Sequence, residues 1–551
     1  MTVDASVAGA APPSLAQLPL FTADAPALAR PIVAMPKLDL QTLESWLWDS
    51  ANILRGSIDS SDFKNYIFGL LFLKRVNDVF EEEVETEMKA ENCSRAEAEA
   101  AAYFNVPPAA RWEEIKKETE NIGVALDKAF AAIENHNTDA KLEGVMTATK
   151  FGDKAILSDD TLKRLLRHFN KYSLRNADLY KPDLMGDAYE FLIERFADDA
   201  GKKGGEFYTP RGVVKLIVAL LKPEPKNEIY DPTCGSGGML VEAAHYVAEH
   251  GGRVGRNVNV ALYGQEKNLG TWAIAKLNMF LHNYPADLRK GDTLIDPQHR
   301  KGDELMLFDR VVANPPFSQD RWWTPAEIGQ EKKVGRDGKE KDVAPNYASA
   351  VSDRFGRLHY GIPPRSYADL AFLQHMVAVL RQNGRMGVVL PHGTLFRGGA
   401  EGTIRQKLLE ADLVEGIVGL PSALFYNTGI PAAIWVLTKT KDAALQGRVL
   451  MLDASQHYKE GKNQNRLEDG HVATILAAYD ARQDIDKLMR VVPLAEIKAN
   501  DYNLNISRYI DRSEAAETID LAAVHANLRA LEAREQEIDE KLERLLEEIG
   551  L

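Results

Sequence analysis

The spacing of hydrophobic residues over 37–180 is mainly that of helices. In the stretch SSDFKNYIFGLLFLKRVNDVFEEEVE, apolar side chains recur every three or four positions, and Ser60 or Ser61 is a candidate helix cap. The members of this apolar stripe are Phe63, Ile67, Leu70, Leu71 and Val76. No alternating strand pattern occurs before about residue 225. We therefore expect a helical N-terminal domain over residues 37–180, preceded by a disordered Ala/Pro-rich tail over residues 1–36.

Beyond about residue 200, short apolar runs alternate with helical segments. The predicted strands are Glu228–Tyr230, Val258–Tyr263, Phe308–Ala313, Met386–Leu390, Leu413–Val418, Ala432–Leu437 and Val449–Leu452. This rhythm predicts an α/β fold with a mostly parallel, doubly wound sheet, which we assign to a domain over residues 181–490. A long polar insertion at 318–366, which contains Trp322 and Trp323, interrupts the rhythm. Loops of that length are usually either functional or disordered.

A third pattern marks the C-terminal segment, residues 491–551. Its apolar residues are spaced alternately by three and four positions, with Glu535 as the single acidic break. They are Leu521, Val524, Leu528, Leu531, Ile538, Leu542, Leu545 and Ile549. This is the a/d seam of a coiled-coil-type helix. Such a helix either packs on its own domain or faces a partner, and the length and terminal position of the seam favour a partner.

The composition is that of a globular protein. The 551 residues are 45% hydrophobic and 27% charged, which suits about three or four domains. No apolar run reaches the ~18 residues of a membrane span. The two cysteines, Cys93 and Cys234, exclude a disulfide scaffold and a Cys-rich metal centre. This cysteine usage fits the reducing cytoplasm.

The net charge of −14 argues against binding of nucleic acid by bulk charge alone. Its distribution changes that conclusion. Residues 81–100 carry eight acids and two bases, and residues 513–551 carry eleven acids and four bases. These two stretches hold −13 of the −14, so the body of the chain is nearly neutral. The charge therefore does not exclude a nucleic-acid site that is built locally or completed by a partner.

The strongest chemical signal is Asn314-Pro315-Pro316-Phe317, directly after the predicted strand FDRVVA. The carboxyl ends of parallel strands are where open α/β sheets hold their active sites, and two prolines would hold the backbone still. A planar exocyclic amine could donate to the Asn314 side-chain oxygen and the Pro315 carbonyl. These bonds favour a pyramidal nitrogen and strengthen as positive charge develops there, so they stabilise the transition state. Phe317 would stack on the ring that carries the amine. The alternative is a simple turn after a strand.

Other polar segments could bind a nucleoside cofactor. The turn Asp231–Gly238 (DPTCGSGG) is rich in glycine but lacks G-x-G-x-x-G spacing, and we expect Cys234 in it to be a packing residue. Glu266, at the end of the next strand, could accept both ribose hydroxyls, and Asp292 could accept from an adenine amine, although either acid could equally be a solvated charge. Because 35 residues separate Asp231 from Glu266, an elongated first helix or loop is needed.

The segment GGEFYTPRGVV (Gly204–Val214) places an aromatic pair and Thr-Pro before a helix. Thr209 is a candidate N-cap, with Pro210 at the first helical position. The segment either closes over the cofactor or is an ordinary helix start.

The order of five short motifs resembles that of the amino-methyltransferases of nucleic acid. In chain order, these motifs are GEFYTP, DPTCGSGG, GQE, GDTL and NPPF. The sequence is most similar in pattern to the methylation (modification) subunit of type I restriction-modification systems, a site-specific adenine-N6 DNA methyltransferase. Longer segments resemble that subunit as well: RGSIDSSDFKNYIFGLLFLKRVND, GDAYEFLIERFADDAGKKGGEFYTP, LPHGTLFRGGAEGTIRQKLLEADLVEGIVGLPSALFYNTGIP and NDYNLNISRYI. The resemblance runs from about Asp39 to the C-terminus. NPPF alone is shared with RNA and protein amide methyltransferases.

The resemblance implies a Rossmann-like domain that transfers a methyl group directly from S-adenosyl-L-methionine to a flipped-out adenine, without a metal. The implied catalytic residues are Asn314, Pro315, Pro316 and Phe317. The implied cofactor-binding residues are Glu206, Phe207, Tyr208, Thr209, Pro210, Arg211, Asp231, Gly235, Ser236, Gly237, Gly238, Glu266 and Asp292. Among these, Glu266 would bind the ribose and Asp292 would lie near the adenine.

The resemblance also implies partners. These are double-stranded DNA, a specificity subunit that reads the DNA sequence and a second methylation subunit. A restriction subunit can join the same complex. The terminal heptad helix would dock on helices of the specificity subunit, and the N-terminal helices would help clamp DNA. The 318–366 insertion would cover the target strand or lack order. An RNA or protein amide methyltransferase and a non-catalytic assembly subunit stay as the alternative functions.

Overall fold

The computed structural model describes the chain from Lys37 to Gly550, with gaps. The described residues are 37–58, 62–102, 104–138, 144–180, 184–199, 208–254, 257–323, 331–334, 340–343, 353–425, 429–461, 464–512 and 520–550. The tail at 1–36 and the candidate caps Ser60 and Ser61 lie outside these residues.

The N-terminal part is helical, as its hydrophobic spacing predicts. Its helices are α1 (Leu40–Leu54), α2 (Phe63–Glu91), α3 (Arg95–Ala101), α4 (Trp112–Ile115), α5 (Ile122–His136) and α6 (Asp159–Phe169). A further helix, α7 (Leu184–Asp199), lies just beyond the predicted boundary at residue 180. The whole predicted stripe of α2 is buried. The ring of Phe68 lies 4.2 Å from that of Tyr189, and the ring of Phe72 lies 5.0 Å from that of Phe280 in the later half of the chain. The helical part and the sheet part therefore share one hydrophobic core.

The later half is built on a nine-stranded sheet with helices on both faces. Its strands are β1 (Glu228–Asp231), β2 (Ala261–Glu266), β3 (Ala286–Lys290), β4 (Phe308–Ala313), β5 (Leu380–Pro391), β6 (Val414–Gly419), β7 (Ala432–Thr438), β8 (Arg448–Asp453) and β9 (Met489–Pro493). The order across the sheet is β9-β8-β6-β7-β5-β4-β1-β2-β3. Only β7 and β9 run against the other strands, so the predicted mostly parallel, doubly wound sheet is confirmed.

The helices of this half follow the strands in the expected alternation. They are α8 (Arg211–Leu221), α9 (Gly238–Val247), α10 (Leu269–Leu281), α11 (Asp369–Ala378), α12 (Gly393–Phe396), α13 (Gly399–Glu410), α14 (Asp469–Ala481), α15 (Leu494–Ala499) and α16 (Leu521–Glu548). Two separate clusters of buried apolar residues contain the sheet side chains, as expected for a sheet that is covered on both faces.

The sequence pattern missed the two outermost strands and shifted one other. Strands β3 and β9 form the edges of the sheet and are only partly buried, so they lack the continuous apolar run that marks a central strand. The strand predicted at Val258–Tyr263 runs instead over Ala261–Glu266, because Asn257–Val258 pairs with Arg253–Val254 in a small hairpin. A further helical turn at Ala248–Gly252 and this hairpin together account for the long separation of Asp231 from Glu266, as the prediction of an elongated helix or loop requires.

The order of the strands creates a switch point between β1 and β4. From β1 the chain moves outward to β2 and β3, then returns to place β4 on the other side of β1. Crevices beyond the carboxyl ends of strands at such a point are the usual ligand sites of open α/β sheets. Asp231 and Glu266 close β1 and β2, and Asn314 follows β4, so all three lie at the same edge.

The two ends of the insertion are tied to each other by hydrogen bonds. Trp322 is buried, and its indole nitrogen donates to the carbonyl of Pro364 at 2.9 Å. The backbone nitrogen of Arg321 donates to the carbonyl of Arg365 at 2.9 Å. Between these ends, Glu331–Val334 and Glu340–Val343 pair as an antiparallel hairpin. The described part of the insertion is thus anchored and partly regular.

The heptad segment forms one long helix, α16, as predicted. None of its residues is buried, and the exposed fractions of the seam residues range from 50% at Val524 to 77% at Leu521. The alternative that this seam packs on its own domain is therefore wrong for the described part of the chain. Among the described residues, no helix has both the length and the apolar character required to cross a membrane.

Candidate active site

Asn314 lies between β4 and the two prolines, with its amide held in one orientation. The amide nitrogen Nδ2 donates to the hydroxyl Oγ1 of Thr209 at 2.9 Å. The amide oxygen Oδ1 is buried, and no hydrogen-bond donor from the described residues reaches it. Leaving a buried acceptor unsatisfied costs free energy, so this oxygen is a ready acceptor for an N–H group of a bound molecule.

Thr209 does not cap the following helix as its sequence suggests. Pro210 is itself the N-cap of α8, without a side-chain capping bond, and the helix begins at Arg211. The expectation that Thr209 caps and that Pro210 takes the first helical position is therefore wrong. The Thr209 hydroxyl is instead occupied by Asn314, 105 residues further along the chain.

Phe317 ends the predicted catalytic segment and faces a second aromatic residue. The ring centroids of Phe317 and Phe425 lie 5.3 Å apart in an edge-to-face arrangement. Phe425 is buried, whereas Phe317 is partly exposed. Two aromatic rings at one rim of a cavity form an apolar wall for a flat heterocycle.

The Gly-rich turn after β1 is held by hydrogen bonds on both sides. The side-chain nitrogen of Asn278, a fully buried residue of α10, donates to the carbonyl of Ser236 at 3.0 Å. Gly237 has φ +83°, a left-handed conformation, and its backbone nitrogen donates to the carbonyl of Cys234 at 2.7 Å. Burial raises the pKa of the Cys234 thiol, which supports the prediction that Cys234 is a packing residue.

Glu266 is a nearly buried acid with unused acceptor capacity. Its Oε1 accepts from the backbone nitrogen of Asn268 at 2.7 Å, and its Oε2 accepts from that of Gly235 at 3.2 Å. Burial raises the pKa of the Glu266 carboxyl, and these backbone donors partly oppose the shift. Because each carboxylate oxygen can accept two hydrogen bonds, both oxygens can still accept from a pair of hydroxyls.

The carboxylate of Asp292 has more of its hydrogen-bonding and ion-pairing partners within the protein than the carboxylate of Glu266. Its Oδ1 accepts from the backbone nitrogens of Leu294 and Ile295 at 3.0 and 3.2 Å. Its Oδ2 lies 2.8 Å from Nζ of Lys267. Asp292 therefore shapes the loop after β3 and also lines the cavity.

Asp231 is 2% exposed at the end of β1. Burial raises the pKa of its carboxyl to about 8, and the nearby charge of Glu266 adds to this rise against the hydrogen bond from Thr233. Two buried acids in one cavity wall disfavour each other's ionised forms, and a cationic ligand would relieve this repulsion.

These segments enclose an open cavity of about 1070 Å³, slightly above the usual range for small-molecule sites. The predicted residues that line it are Tyr208, Thr209, Asp231, Gly235, Ser236, Gly238, Glu266, Asp292, Asn314, Pro315, Pro316 and Phe317. Pro210, Arg211 and Gly237 are not in the lining, and Glu206 and Phe207 lie outside the described residues. The cavity thus brings together most of the predicted site.

Sequence reasoning missed several lining residues. They include Met239, Lys267, Asn268, Leu269, Lys290, Thr293, Gln319, Phe372, Phe425 and Ile430. Phe425 ends the segment LPSALF, and nothing in that segment indicated a role in the site. Its contact with Phe317 in the folded chain assigns it there.

Comparison with known proteins gives consistent matches. A family model described as N-6 DNA methylase matches residues 180–518, and one described as HsdM N-terminal domain matches residues 43–169. The chain is 35% identical over 436 residues to the type I restriction enzyme MjaVII methylase subunit of Methanocaldococcus jannaschii, which covers 78% of this chain and 70% of the relative. It is 32% identical over 458 residues to the HindI methylase subunit of Haemophilus influenzae, which covers 77% of this chain and 94% of the relative.

A solved structure has the same fold. It is the type I restriction-modification system methyltransferase subunit from Streptococcus thermophilus, which is 33% identical with a TM-score of 0.71. The match covers 86% of this chain and 99% of that chain, so both the helical N-terminal part and the sheet part are included.

Proposed function

This chain belongs to the N-6 DNA methylase family, and from that premise we propose that its cavity is the active site of an adenine-N6-specific, S-adenosyl-L-methionine-dependent methyltransferase. The chain is a DNA methyltransferase of the kind that forms the methylase subunit of type I restriction-modification systems. The buried and unpartnered oxygen of Asn314 is the observation that carries the proposal.

Asn314 and Pro315 bind the amine that receives the methyl group. The Asn314 Oδ1 accepts one N–H, because Thr209 holds the amide with this oxygen free. The Pro315 carbonyl accepts the other N–H, and Pro315 and Pro316 hold it in place. Their bonds to the amine strengthen as positive charge develops on its nitrogen, because the N–H groups then become stronger donors.

The aromatic wall selects a flat base outside the duplex. Phe317 and Phe425 offer ring surfaces at the rim, and Phe317 stacks on the base whose amine meets Asn314. An adenine that is stacked inside a DNA duplex cannot bring its amine to a buried acceptor such as the Asn314 Oδ1, so the target must rotate out of the stack.

The remaining lining residues fit S-adenosyl-L-methionine, which supplies an activated methyl group on a positively charged sulfur. Glu266 has acceptor capacity for the two ribose hydroxyls. The left-handed turn at Gly237 brings Gly238 to the cavity wall, and because Gly238 has no side chain the backbone can pass close to a ligand there. Burial raises the pKa of the Asp231 carboxyl to about 8, and a positively charged ligand beside it would favour the ionised form.

Partners complete the enzyme. The unpacked apolar seam of α16 docks on helices of a specificity subunit, which supplies sequence recognition and much of the DNA affinity. A second methylation subunit and a restriction subunit join the same complex. Double-stranded DNA is the substrate, and the N-terminal helices help to clamp it.

Methylation by the intact complex tests the proposal. The chain, purified together with its specificity subunit, should form N6-methyladenine in DNA from labelled S-adenosyl-L-methionine, as read by nucleoside analysis. Asn314→Ala should reduce this rate by at least ~100-fold. The matched control Asn500→Ala, at the C-cap of α15 and outside the cavity lining, should not. Methyl transfer to RNA or protein instead of DNA, or full activity of Asn314→Ala, would contradict the proposal.

A further inference from the structure

The backbone turns sharply just after the catalytic segment. Ser318, which follows Phe317, has φ +51°, in the left-handed region that residues other than glycine rarely adopt. Such a conformation persists only where surrounding contacts hold it. The residues that hold Ser318 therefore also determine where Phe317 points.

Two hydrogen bonds from the start of α11 hold this turn. The backbone nitrogen of Ser318 donates to Oδ1 of Asp369 at 2.8 Å. The backbone nitrogen of Ala368 donates to the carbonyl of Gln319 at 3.2 Å. Asp369 is fully buried, so little water competes for its carboxylate.

The carboxylate of Asp369 is not used as an ordinary helix cap. The N-cap of α11 is Ala368, without a side-chain capping bond. Of the two oxygens of Asp369, Oδ1 accepts from Ser318, and Oδ2 lies 3.4 Å from Nη1 of Arg397. An acid that only stabilised its own helix would bond to the first turn of that helix.

Arg397 supports the charge of Asp369 from a separate segment. Its guanidinium stacks on the ring of Tyr367 at 4.2 Å and also contacts the buried Glu401 at 3.3 Å. A side chain at Gly393 would lie 2.4 Å from this guanidinium, so the chain leaves room for it there. Burial raises the pKa of Asp369, while Ser318 and Arg397 oppose the shift.

We propose that Asp369 is a positioning residue for methyl transfer, because its carboxylate holds the turn at Ser318 and thereby the ring of Phe317 and the acceptors of Asn314 and Pro315. This inference rests on the proposed function. Asp369 touches neither base nor cofactor, and it acts through the backbone of the catalytic segment. Its loss should therefore slow transfer without weakening the cofactor site, which is formed by the ends of β1 and β2.

The test separates kcat from cofactor affinity in the complex with the specificity subunit. For Asp369→Ala, kcat should fall at least ~tenfold, because small misplacements of reacting groups cost rates of this order. The Kd for S-adenosyl-L-methionine, measured by calorimetry, should stay within about twofold of the wild-type value. Asp369→Asn keeps an acceptor for Ser318 but loses the charge facing Arg397, so its kcat should be intermediate.

The matched control is Glu415→Gln. Glu415 is also a buried carboxylate, and it pairs with Arg385 and Tyr479 near the amino end of β6, away from the cavity. Its variant should lose thermal stability and keep its kcat. A kcat of Asp369→Ala equal to that of the control, or a loss of cofactor affinity that accounts for the whole effect, would overturn the inference.

If Asp369→Ala does not yield a folded complex, Asp369→Asn is compared with Glu415→Gln instead. The same two quantities, kcat and the Kd for S-adenosyl-L-methionine, then decide. Wild-type activity is measured in the same assay. Absence of N6-methyladenine from the wild-type complex counts against the proposed function, whereas normal kcat in the variants counts against the role of Asp369 alone.

Discussion

The amide nitrogen of Asn314 donates to the hydroxyl of Thr209, and this single bond determines which end of the amide faces the cavity. The oxygen is left buried and available, as an acceptor for an amine must be. Two segments that are 105 residues apart in the chain therefore act as one unit.

Removing the hydroxyl of Thr209 should impair the orientation of Asn314. In Thr209→Val the amide has no acceptor for its nitrogen and can rotate, which would present N–H groups to the target amine. We expect kcat to fall at least ~tenfold, which is less than the ~100-fold or more that follows removal of a group in direct contact with the reacting atoms, because Thr209 acts through Asn314. Thr209→Ser keeps the hydroxyl and should stay near the wild-type rate. Equal kcat values for the Val and Ser variants would show that the hydroxyl has no such role.

Glu266→Gln should weaken binding of S-adenosyl-L-methionine. A glutamine places an amide nitrogen against one of the two backbone donors, from Asn268 or Gly235, and loses one acceptor for ribose. Loss of a charged acceptor of this kind corresponds to about a tenfold to hundredfold rise in Kd. Calorimetry on the purified chain measures it, with the exposed Glu249→Gln as control. An unchanged Kd would remove Glu266 from the cofactor site.

The buried acid Asp231 should make stability depend on pH. Its pKa in the folded chain is raised from 3.8 to about 8, so between these values the folded state holds a proton that the unfolded state has released. Its contribution to stability is full below 3.8 and is lost as pH rises through about 8, with a limiting slope of ~1.4 kcal/mol per pH unit.

The variant Asp231→Asn tests this dependence, because asparagine mimics the protonated acid. We expect its Tm to exceed that of the wild-type chain at pH 8.5 and to approach it at pH 5. Affinity for the cationic cofactor should fall in the same variant. A Tm difference that does not change with pH would contradict the assignment.

Two adjacent glycines should respond in opposite ways to alanine. Gly237 has φ +83°, and an added Cβ would lie 3.0 Å from Cε of Met279. Gly237→Ala should therefore lower the stability by about 1–2 kcal/mol. Gly238 begins α9, and an added Cβ would meet no atom within 4 Å. Gly238→Ala should leave the Tm unchanged or raised, and because Gly238 lines the cavity, it should weaken cofactor binding instead. Denaturation and calorimetry on both variants distinguish the two effects.

Charges placed on the seam of α16 should prevent assembly. Leu528 and Leu542 are each 52% exposed, so glutamate at both positions leaves the isolated chain folded but makes an apolar helical interface unfavourable. The double variant should lose its specificity subunit on size-exclusion chromatography and keep its own cofactor affinity. Glu537→Gln, off the seam, should assemble normally. A stable complex with both glutamates would place the interface elsewhere.

Much of the site could be predicted because its signals are local. A buried strand followed by Asn-Pro-Pro-Phe predicts that this segment lies at the carboxyl edge of a sheet. A Gly-rich turn after another strand predicts the same edge. The acids at the strand ends follow the same rule, since parallel strands bring their carboxyl ends to one edge. The edge strands β3 and β9 escaped prediction because half-exposed strands lack a continuous apolar run.

The sequence by itself therefore determined the α/β class, the edge at which the chemistry lies, many of the residues that meet there and the apolar seam of the last helix. Only the tertiary structure decided that Thr209 orients Asn314, that Phe425 faces Phe317, and that Asp369 holds the turn at Ser318. The reason is physical. Periodicity and turn residues report whether a position is buried and how its backbone bends, whereas a bond between distant side chains depends on how whole elements pack against each other.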